Sequence, residues 1–255
     1  MVRLTILGSG SGGNCALLAT SCARILFDAG FSRRETRKRL ALRDERLEAI
    51  TAIFISHEHS DHVRGLAGLV RELATPVYLT ERTHRALEGP APQRVEYFRA
   101  GEKIEVGDIS VTPFTIPHDA ADPVAFSIQA EGMKLCLVTD LGYLPENVKD
   151  QLCGADCLVL ESNHDLEMLK VGPYPWSVKQ RVMSRVGHLS NGAASEYLAS
   201  DYDGRARFVV LAHLSENNNL PELARIHAEQ ALERRGWSPA LMIAQQSQPL
   251  PAITL

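Results

Sequence analysis

No stretch of this 255-residue chain approaches the run of about 18 apolar residues that a membrane helix requires, so neither a membrane span nor a membrane partner is expected. A secretory leader is lacking too: Met1 enters the strand-like residues 2 to 7 with no charged region, apolar stretch and cleavage site, and a cytoplasmic location is the expectation. Cysteine is too sparse and scattered for a disulfide framework. Cys15, Cys22, Cys136, Cys153 and Cys157 are odd in number and mostly sit in apolar runs, which suits reduced core thiols. Cys153 and Cys157 are spaced as half of a zinc site would be, but no second pair completes it. Excess positive charge is absent as well, and a net charge of −4 excludes a protein that coats nucleic acid by bulk electrostatics. With no low-complexity segment, short repeat or long linker, residues 1–255 are expected to form one domain, with a polar, proline-containing tail from about residue 245 left loose.

What is present is the balance of a soluble globular protein, 45% apolar and 23% charged, on a chain long enough for a substantial core. Charge is uneven locally. Between residues 33 and 46 lie Arg33, Arg34, Arg37, Lys38, Arg39, Arg43 and Arg46 against Glu35, Asp44 and Glu45, so a helix here carries a basic stripe. It reads equally as a solvated face and as a contact for a phosphate backbone.

Apolar periodicity sets the order of elements. Strands are expected at residues 2 to 7, 15 to 20, 23 to 28 and 51 to 55, with a helix capped by Ser32 through residue 42. A helix over 63 to 73, a strand at 76 to 79 and a helix over 80 to 88 follow, then a loop around residues 89 to 92. Strands at 104 to 106, 109 to 116, 124 to 129 and 133 to 139 read as a second meander. The remainder alternates strands (156 to 160, 208 to 212, 241 to 244) with helices (177 to 185, 191 to 199, 221 to 234), which points to helices outside packed sheets, an α/β (α+β) architecture.

The chemistry concentrates in Ile53-Phe-Ile-Ser-His-Glu-His-Ser-Asp-His62, where His57, His59, Asp61 and His62 follow a strand end. On an extended segment His57 and His59 point the same way, and a turn returns Asp61 and His62 to that space, enough for two metals. A two-metal hydrolytic site needs further donors, including an anion able to bridge both ions. Other strand ends supply candidates: His118, Asp140 and His213 each terminate an apolar run.

This series resembles the metallo-β-lactamase superfamily, with its HxHxDH motif followed by a lone His, an Asp and a final His. The resemblance implies an αββα sandwich of two facing mixed sheets with helices outside. It also implies two divalent ions (zinc, manganese or iron), one held by His57, His59 and His118, the other by Asp61, His62 and His213, with Asp140 between them. Gly8-Ser-Gly-Ser-Gly-Gly-Asn-Cys15, Glu161-Ser-Asn-His-Asp165, Gly172-Pro-Tyr-Pro175 and Gly187-His-Leu-Ser-Asn191 are similar to the YycJ (WalJ) branch of nuclease-like members. That branch implies a DNA exonuclease.

Four further features carry two readings each. Gly8, Gly10 and Gly13 satisfy GxGxxG, but the strand-like residues that follow exclude a dinucleotide fingerprint; a tight turn, or backbone amides near a phosphate, remain. His188 is a cap, or, as the resemblance implies, a catalytic residue that contacts substrate phosphate. Glu161 and His164 are turn residues or partners that orient a metal-bound imidazole. Tyr174 and Trp176 are expected to pack in a proline-rigid loop rather than stack on a base, and Asn217, Asn218 and Asn219 to be turn residues.

The expected activity is hydrolysis of phosphodiesters in nucleic acid, DNA favoured over RNA, by a hydroxide between two ions that lower the pKa of water from about 16 toward about 7. Asp61 would bind metal and orient the hydroxide, and His188 would stabilise an oxygen or protonate the leaving group. The same donors serve a small cyclic phosphodiesterase, an RNA-processing nuclease, a thioesterase or a lactonase; a mononuclear iron oxygenase and a non-enzymatic binding module are more distant rivals. A homodimer is an allowed assembly.

Overall fold

Short apolar runs rich in β-branched side chains become strands when both their faces are covered. The computed structural model describes residues 1–90 and 92–255, and places fourteen such strands in two seven-stranded sheets; Ala91, in the loop expected around 89 to 92, lies outside the described residues. The first sheet holds β1 (Arg3–Gly8), β2 (Cys15–Ala19), β3 (Arg24–Phe27), β4 (Ala52–Phe54), β5 (Val77–Leu79) and β6 (Val95–Tyr97). In the second are β7 (Ile104–Val106), β8 (Ile109–Thr115), β9 (Val124–Ala130), β10 (Met133–Val138), β11 (Cys157–Glu161), β12 (Phe208–Ala212) and β13 (Ala240–Ile243), and β14 (Ile253–Thr254) returns to the edge of the first.

Each sheet is an antiparallel meander that continues as parallel strands. Pairing is antiparallel from β1 to β3 and from β7 to β10, and parallel from β3 to β6 and from β10 to β13. Parallel neighbours need crossovers, and these carry the helices. α1 (Arg33–Ala41), α2 (Ser60–Val63), α3 (Leu66–Val70) and α4 (Glu81–Ala86) serve the first sheet. α5 (Glu146–Leu152), α6 (Leu166–Val171), α7 (Trp176–Val182), α8 (Asn191–Ser200) and α9 (Pro221–Glu233) serve the second. The result is the αββα sandwich.

Three apolar clusters fill its three interfaces. Phe27 and Phe54 of the first sheet meet Phe126, Leu137 and Val159 of the second, with the Phe27 and Phe126 rings 5.0 Å apart. Successive residues serve opposite faces, as the period of two requires: Phe54 points into this core while Ile53 packs with Leu40 and Leu69 under the helices. On the other side Leu158 and Leu160 join Leu198 and Ala228. Cys15, Cys136 and Cys157 are buried and Cys22 and Cys153 exposed, all five free; burial pushes the thiols of Cys136 and Cys157 up to about 11 and about 12. Among the described residues no helix is long and apolar enough to cross a membrane.

Three expectations need correction. The helix expected over 63 to 73 is broken into α2 and α3 at Gly65, whose N–H donates to the Ala29 carbonyl (2.7 Å) where a Cβ would strike the backbone of Phe31. The basic stripe is largely consumed within the fold. Arg33 and Arg37 pair with Glu72, Arg37 also with Glu48, and Arg39 is buried over the Phe31 ring with its charge on Glu35. Of the seven cations Arg34 and Lys38 alone have no acceptor among the described residues, which weakens the phosphate-backbone reading. Finally, the tail is not loose. Its prolines cannot donate, but its carbonyls accept: Arg39 bonds Gln246 O (2.7 Å) and Arg43 bonds Pro249 O (2.6 Å) and Leu250 O (2.9 Å). β14 then closes on β1 with Ile253 opposite Leu4.

Ile253 is 3% exposed, so Ile253→Ala should cost about 2–4 kcal/mol in urea unfolding, the range for an aliphatic side chain cut from a core. A change under about 0.5 kcal/mol, as at a free surface, would show that the tail is outside the cooperative unit.

Candidate metal centre and active site

The site forms where strands from both sheets end along one edge. β3 leads into Asp28, β4 into Ser56 and the histidine motif, β8 into His118, β10 into Asp140, and β12 into His213. Asp28, Asp140 and His213 take left-handed φ values of 63°, 62° and 56°, a conformation that Asp and His tolerate better than most residues and that turns each side chain back into the cleft. Backbone bonds lace the motif to distant loops: Asn14 N donates to Asp61 O (2.8 Å), Ala29 N to His62 O (2.7 Å) and Gly30 N to Asn14 O (2.9 Å). Only glycine fits at 30, because a Cβ there would meet the Asp61 carbonyl.

All seven residues singled out as donors converge. His57, His59 and His118 form one group, and Asp61, His62, Asp140 and His213 another; each could hold a metal ion. His118 Nε2 lies 3.2 Å from His59 Nδ1, and His213 Nε2 lies 3.2 Å from Asp61 Oδ2. Asp140 faces both groups, 3.2 Å from His62 Nε2 and 3.9 Å from His118 Nε2. Four rings are held from behind at one nitrogen: His57 Nδ1 by Ser56 Oγ (2.9 Å), His62 Nδ1 by Asp28 (2.8 Å), His118 Nδ1 by the Gly187 carbonyl (3.1 Å) and His213 Nδ1 by Glu161 (2.9 Å). The other nitrogen then presents its lone pair inward.

His57 Nε2 is buried with no hydrogen-bond partner, and Asp140 Oδ2, buried too, makes no well-aligned hydrogen bond and has the His62 ring 3.2 Å away. Buried acceptors left unpaired are costly, and a divalent cation is the partner that satisfies several at once, so the donor set fits a metal pair.

Electrostatics point the same way. Burial opposes charge at every group, but at His62 the carboxylates of Asp140, Asp28 and Asp61 outweigh it, and at His213 those of Asp140, Asp61 and Glu161 do; both rings are raised well above the ordinary value. At His57 and His118, burial prevails and the pKa falls. Against the same opposition from burial, the neighbouring imidazoles hold Asp61 and Asp140 well below the usual carboxylate range. A field that attracts protons this strongly attracts a divalent cation as well.

His188 borders the inward donors on the cleft side: its Nδ1 lies 3.8 Å from Asp140 Oδ1, its ring centroid lies 5.1 Å from that of His213, and with Asp140, Glu161 and His213 it makes a third group that could hold a metal ion. Its side chain is 22% exposed and lines a cleft of about 330 Å³ with His59, Asp61, Asp140 and His213, while its Nδ1 bonds Glu161 Oε1 at 2.8 Å. Glu161 is fully buried and serves both His188 and His213, with its second oxygen on the amides of Leu141 (2.9 Å) and Leu189 (3.1 Å). His188 and His213 hold its carboxyl down to about 2 against burial, and Glu161 raises His188 against the same opposition. His164 is buried against Asn163 and, among the described residues, bonds none of the donor imidazoles; burial takes its pKa to about 4.

Asp28, Ser56 and Asn14 were not foreseen. Asp28 takes the Ser56 N–H and hydroxyl as well as His62, and Asn14 Nδ2 lies 3.1 Å from both Asp61 Oδ2 and His62 Nε2. Asp28 ends an apolar run as His118, Asp140 and His213 do, and that rule would have found it. The glycine turn does not cradle a phosphate broadly: the amides of Ser9, Gly10, Gly12 and Gly13 go to Gln245, Asn14, Gln246 and Gly10. Asn218 and Asn219 are buried, and Asn219 braces the backbone of Ser162 and Asn163 rather than forming a simple turn. Trp176 overturns the packed-aromatic expectation, being 63% exposed, whereas Tyr174 is half-buried with Asn217 on its hydroxyl.

Because Asp28 holds His62 and, through Ser56, His57, Asp28→Ala should weaken metal binding by about 10- to 100-fold in chelator competition with the chain still folded. Wild-type affinity in that variant would reduce Asp28 to a turn residue.

A family profile for the beta-lactamase superfamily domain matches residues 23–214. Exodeoxyribonuclease YycJ of Bacillus anthracis is 39% identical over 240 residues, covering 92% of this chain and 91% of its own. For Exodeoxyribonuclease WalJ of Streptococcus pneumoniae the figures are 35% over 230 residues, 88% and 86%. The metallo-beta-lactamase fold protein YhfI of Bacillus subtilis superposes with a TM-score of 0.75 at 17% identity, over 98% of this chain and 99% of that one. The chain belongs to the beta-lactamase superfamily and, within it, to the family of YycJ and WalJ.

Proposed function

We propose that the protein is a metal-dependent phosphodiesterase acting on nucleic acid, DNA ahead of RNA, as an exonuclease. The observation that carries this reading is His188. It stands at the cleft beside both donor groups, held by Glu161 at one nitrogen so that the other is free for an incoming oxygen. The names of YycJ and WalJ, which match along most of their length, support a DNA substrate.

His57, His59 and His118 would hold one divalent ion, and Asp61, His62 and His213 the other, with Asp140 shared. Zinc, manganese and iron all suit such a donor set. Bound there, the pair supplies Lewis acidity, making water acidic enough to attack near neutral pH and offsetting charge on the phosphoryl oxygens. Asp61, kept ionised by His62 and His213, orients the attacking water by accepting its hydrogen bond. The Glu161 carboxylate favours the protonated His188 ring, which donates to a phosphoryl or departing oxygen.

His188→Ala should lower turnover of end-labelled DNA by about 10²- to 10⁴-fold while bound metal is retained. Asp140→Ala should lose metal and activity together, by metal analysis beside the same assay. Unchanged turnover in the first variant, or retained metal in the second, would remove those roles. Assays of bis-p-nitrophenyl phosphate, single- and double-stranded DNA and RNA, a thioester and a lactone test the substrate class; preferential hydrolysis of the thioester or lactone would overturn the phosphodiester reading.

A further inference from the structure

The hairpin of β1 and β2 meets the metal centre at its turn, residues 9 to 14, and the turn is bonded to two of the inward donors. Asn14 N donates to Asp61 O (2.8 Å) and Asn14 Nδ2 lies 3.1 Å from Asp61 Oδ2, while Ser9 Oγ accepts from the His213 amide (2.9 Å). The amides of Ser9, Gly10, Gly12, Gly13 and Asn14 are spent inside the fold, on Gln245, Asn14, Gln246, Gly10 and Asp61. The amide left over is that of Ser11. Neither its N–H nor its hydroxyl has a partner among the described residues, and Ser11 lines the cleft with His59, Asp61, Asp140, His188 and His213.

Resting on the phosphodiesterase reading, we infer that Ser11 binds the scissile phosphate, its amide and hydroxyl donating to a non-bridging oxygen. Backbone N–H groups in turns are ready-made anion contacts, and this one is placed by braces. Gly13 N donates to Gly10 O (3.0 Å), closing a turn with Ser11 and Gly12 at its centre. Gln246 accepts the Gly12 amide, donates to Glu216 Oε1 (2.7 Å) and gives its carbonyl to Arg39 (2.7 Å). A Cβ at Gly10 or Gly12 would meet the Gln246 side chain, so the tip of the turn carries one side chain, that of Ser11. Because the turn is bonded to Asp61 and His213 themselves, Ser11 is mounted on the donor group where the scissile phosphate has to sit. Neutral donors suit this place. A cation among Asp61, Asp119 and Asp140 is consumed by the carboxylates, as Arg181 is by Asp119, whereas an amide and a hydroxyl stay available to the substrate. His188 reaches the same cleft from the second sheet, so one phosphate is met from the loops of both sheets.

The test uses the zinc-loaded full chain. Dimethyl phosphate, a phosphodiester without a base, should shift the Ser11 amide signal downfield in nitrogen-15 NMR spectra and move those of Gly12 and Gly13, already bonded within the fold, far less. Ser11→Ala keeps the amide and should lower kcat/KM on single-stranded DNA by about tenfold. Ser11→Pro removes both donors at a turn position that proline favours, and should lower it by on the order of 10²-fold. Both variants should retain their metal, and Ser11→Thr, with both donors, should keep most of the wild-type rate. The same losses should appear with bis-p-nitrophenyl phosphate, whose one phosphate is the scissile one; a loss confined to DNA would move the contact to another phosphate and overturn the assignment. Wild-type kcat/KM in Ser11→Pro, or a Ser11 amide unmoved by dimethyl phosphate, would leave Ser11 a solvated turn residue. Loss of metal from Ser11→Ala would also overturn it, since the turn would then act through Asp61. If the wild type hydrolyses no phosphodiester, the parent reading fails instead, and the dimethyl phosphate titration, which needs no turnover, still decides for or against Ser11.

Discussion

Burying carboxylates at the seam between two sheets is the constraint on which the rest of this structure depends. Asp28, Asp140 and Glu161 are almost wholly removed from water, and Asp61 nearly so. Each such transfer costs several kcal/mol unless opposite charge and hydrogen bonds meet it. The chain meets it with imidazoles, buried amides and backbone N–H groups, and the geometry that satisfies the carboxylates is also the one that aims the remaining nitrogens at a common point. Structure and chemistry share one solution, because a donor set stable without compensation would have no reason to gather cations.

The compensation is divided between the sheets. Asp28 and Ser56, past the ends of β3 and β4, hold His57 and His62; Glu161, at the end of β11, holds His213 and His188. Asp140 faces imidazoles from both sides. The separation of the donors is therefore set by how the sheets pack, through contacts such as Phe27 on Phe126, directly beneath Asp28 and Ser56. A core change there would reach the centre without touching a polar atom.

The seven inward donors and most strands were legible because each is written locally: a period of two with apolar runs, and a polar residue at each run's end. What escaped is long-range. Asn14, Gly30 and Asp61 are joined by backbone bonds that no spacing announces, and the helix breaks at Gly65, a weak helix former, where the distant Ala29 carbonyl takes its amide. The tail looked free because its composition is that of a loop; Arg39 of α1 and Arg43 just beyond it, which donate to its carbonyls, had themselves suggested a phosphate surface. Trp176 erred the other way, since proline-rigid surroundings suggested packing where the fold leaves the ring uncovered.

Glu161 explains how an interior donor set and a solvent-facing residue can be placed with one error between them. Its Oε1 receives His213, 2% exposed and turned inward, and His188, 22% exposed and turned to the cleft, while Oε2 is locked by two backbone amides. Held by β11 and those amides, the carboxylate fixes the distance from the donor group to His188, the residue proposed to meet substrate. Two histidines mounted on separate loops would each carry their own positional scatter. Mounted on one buried anion they share it, which is the economy a reaction needs when displacement by 1 Å can cost about 10²-fold in rate.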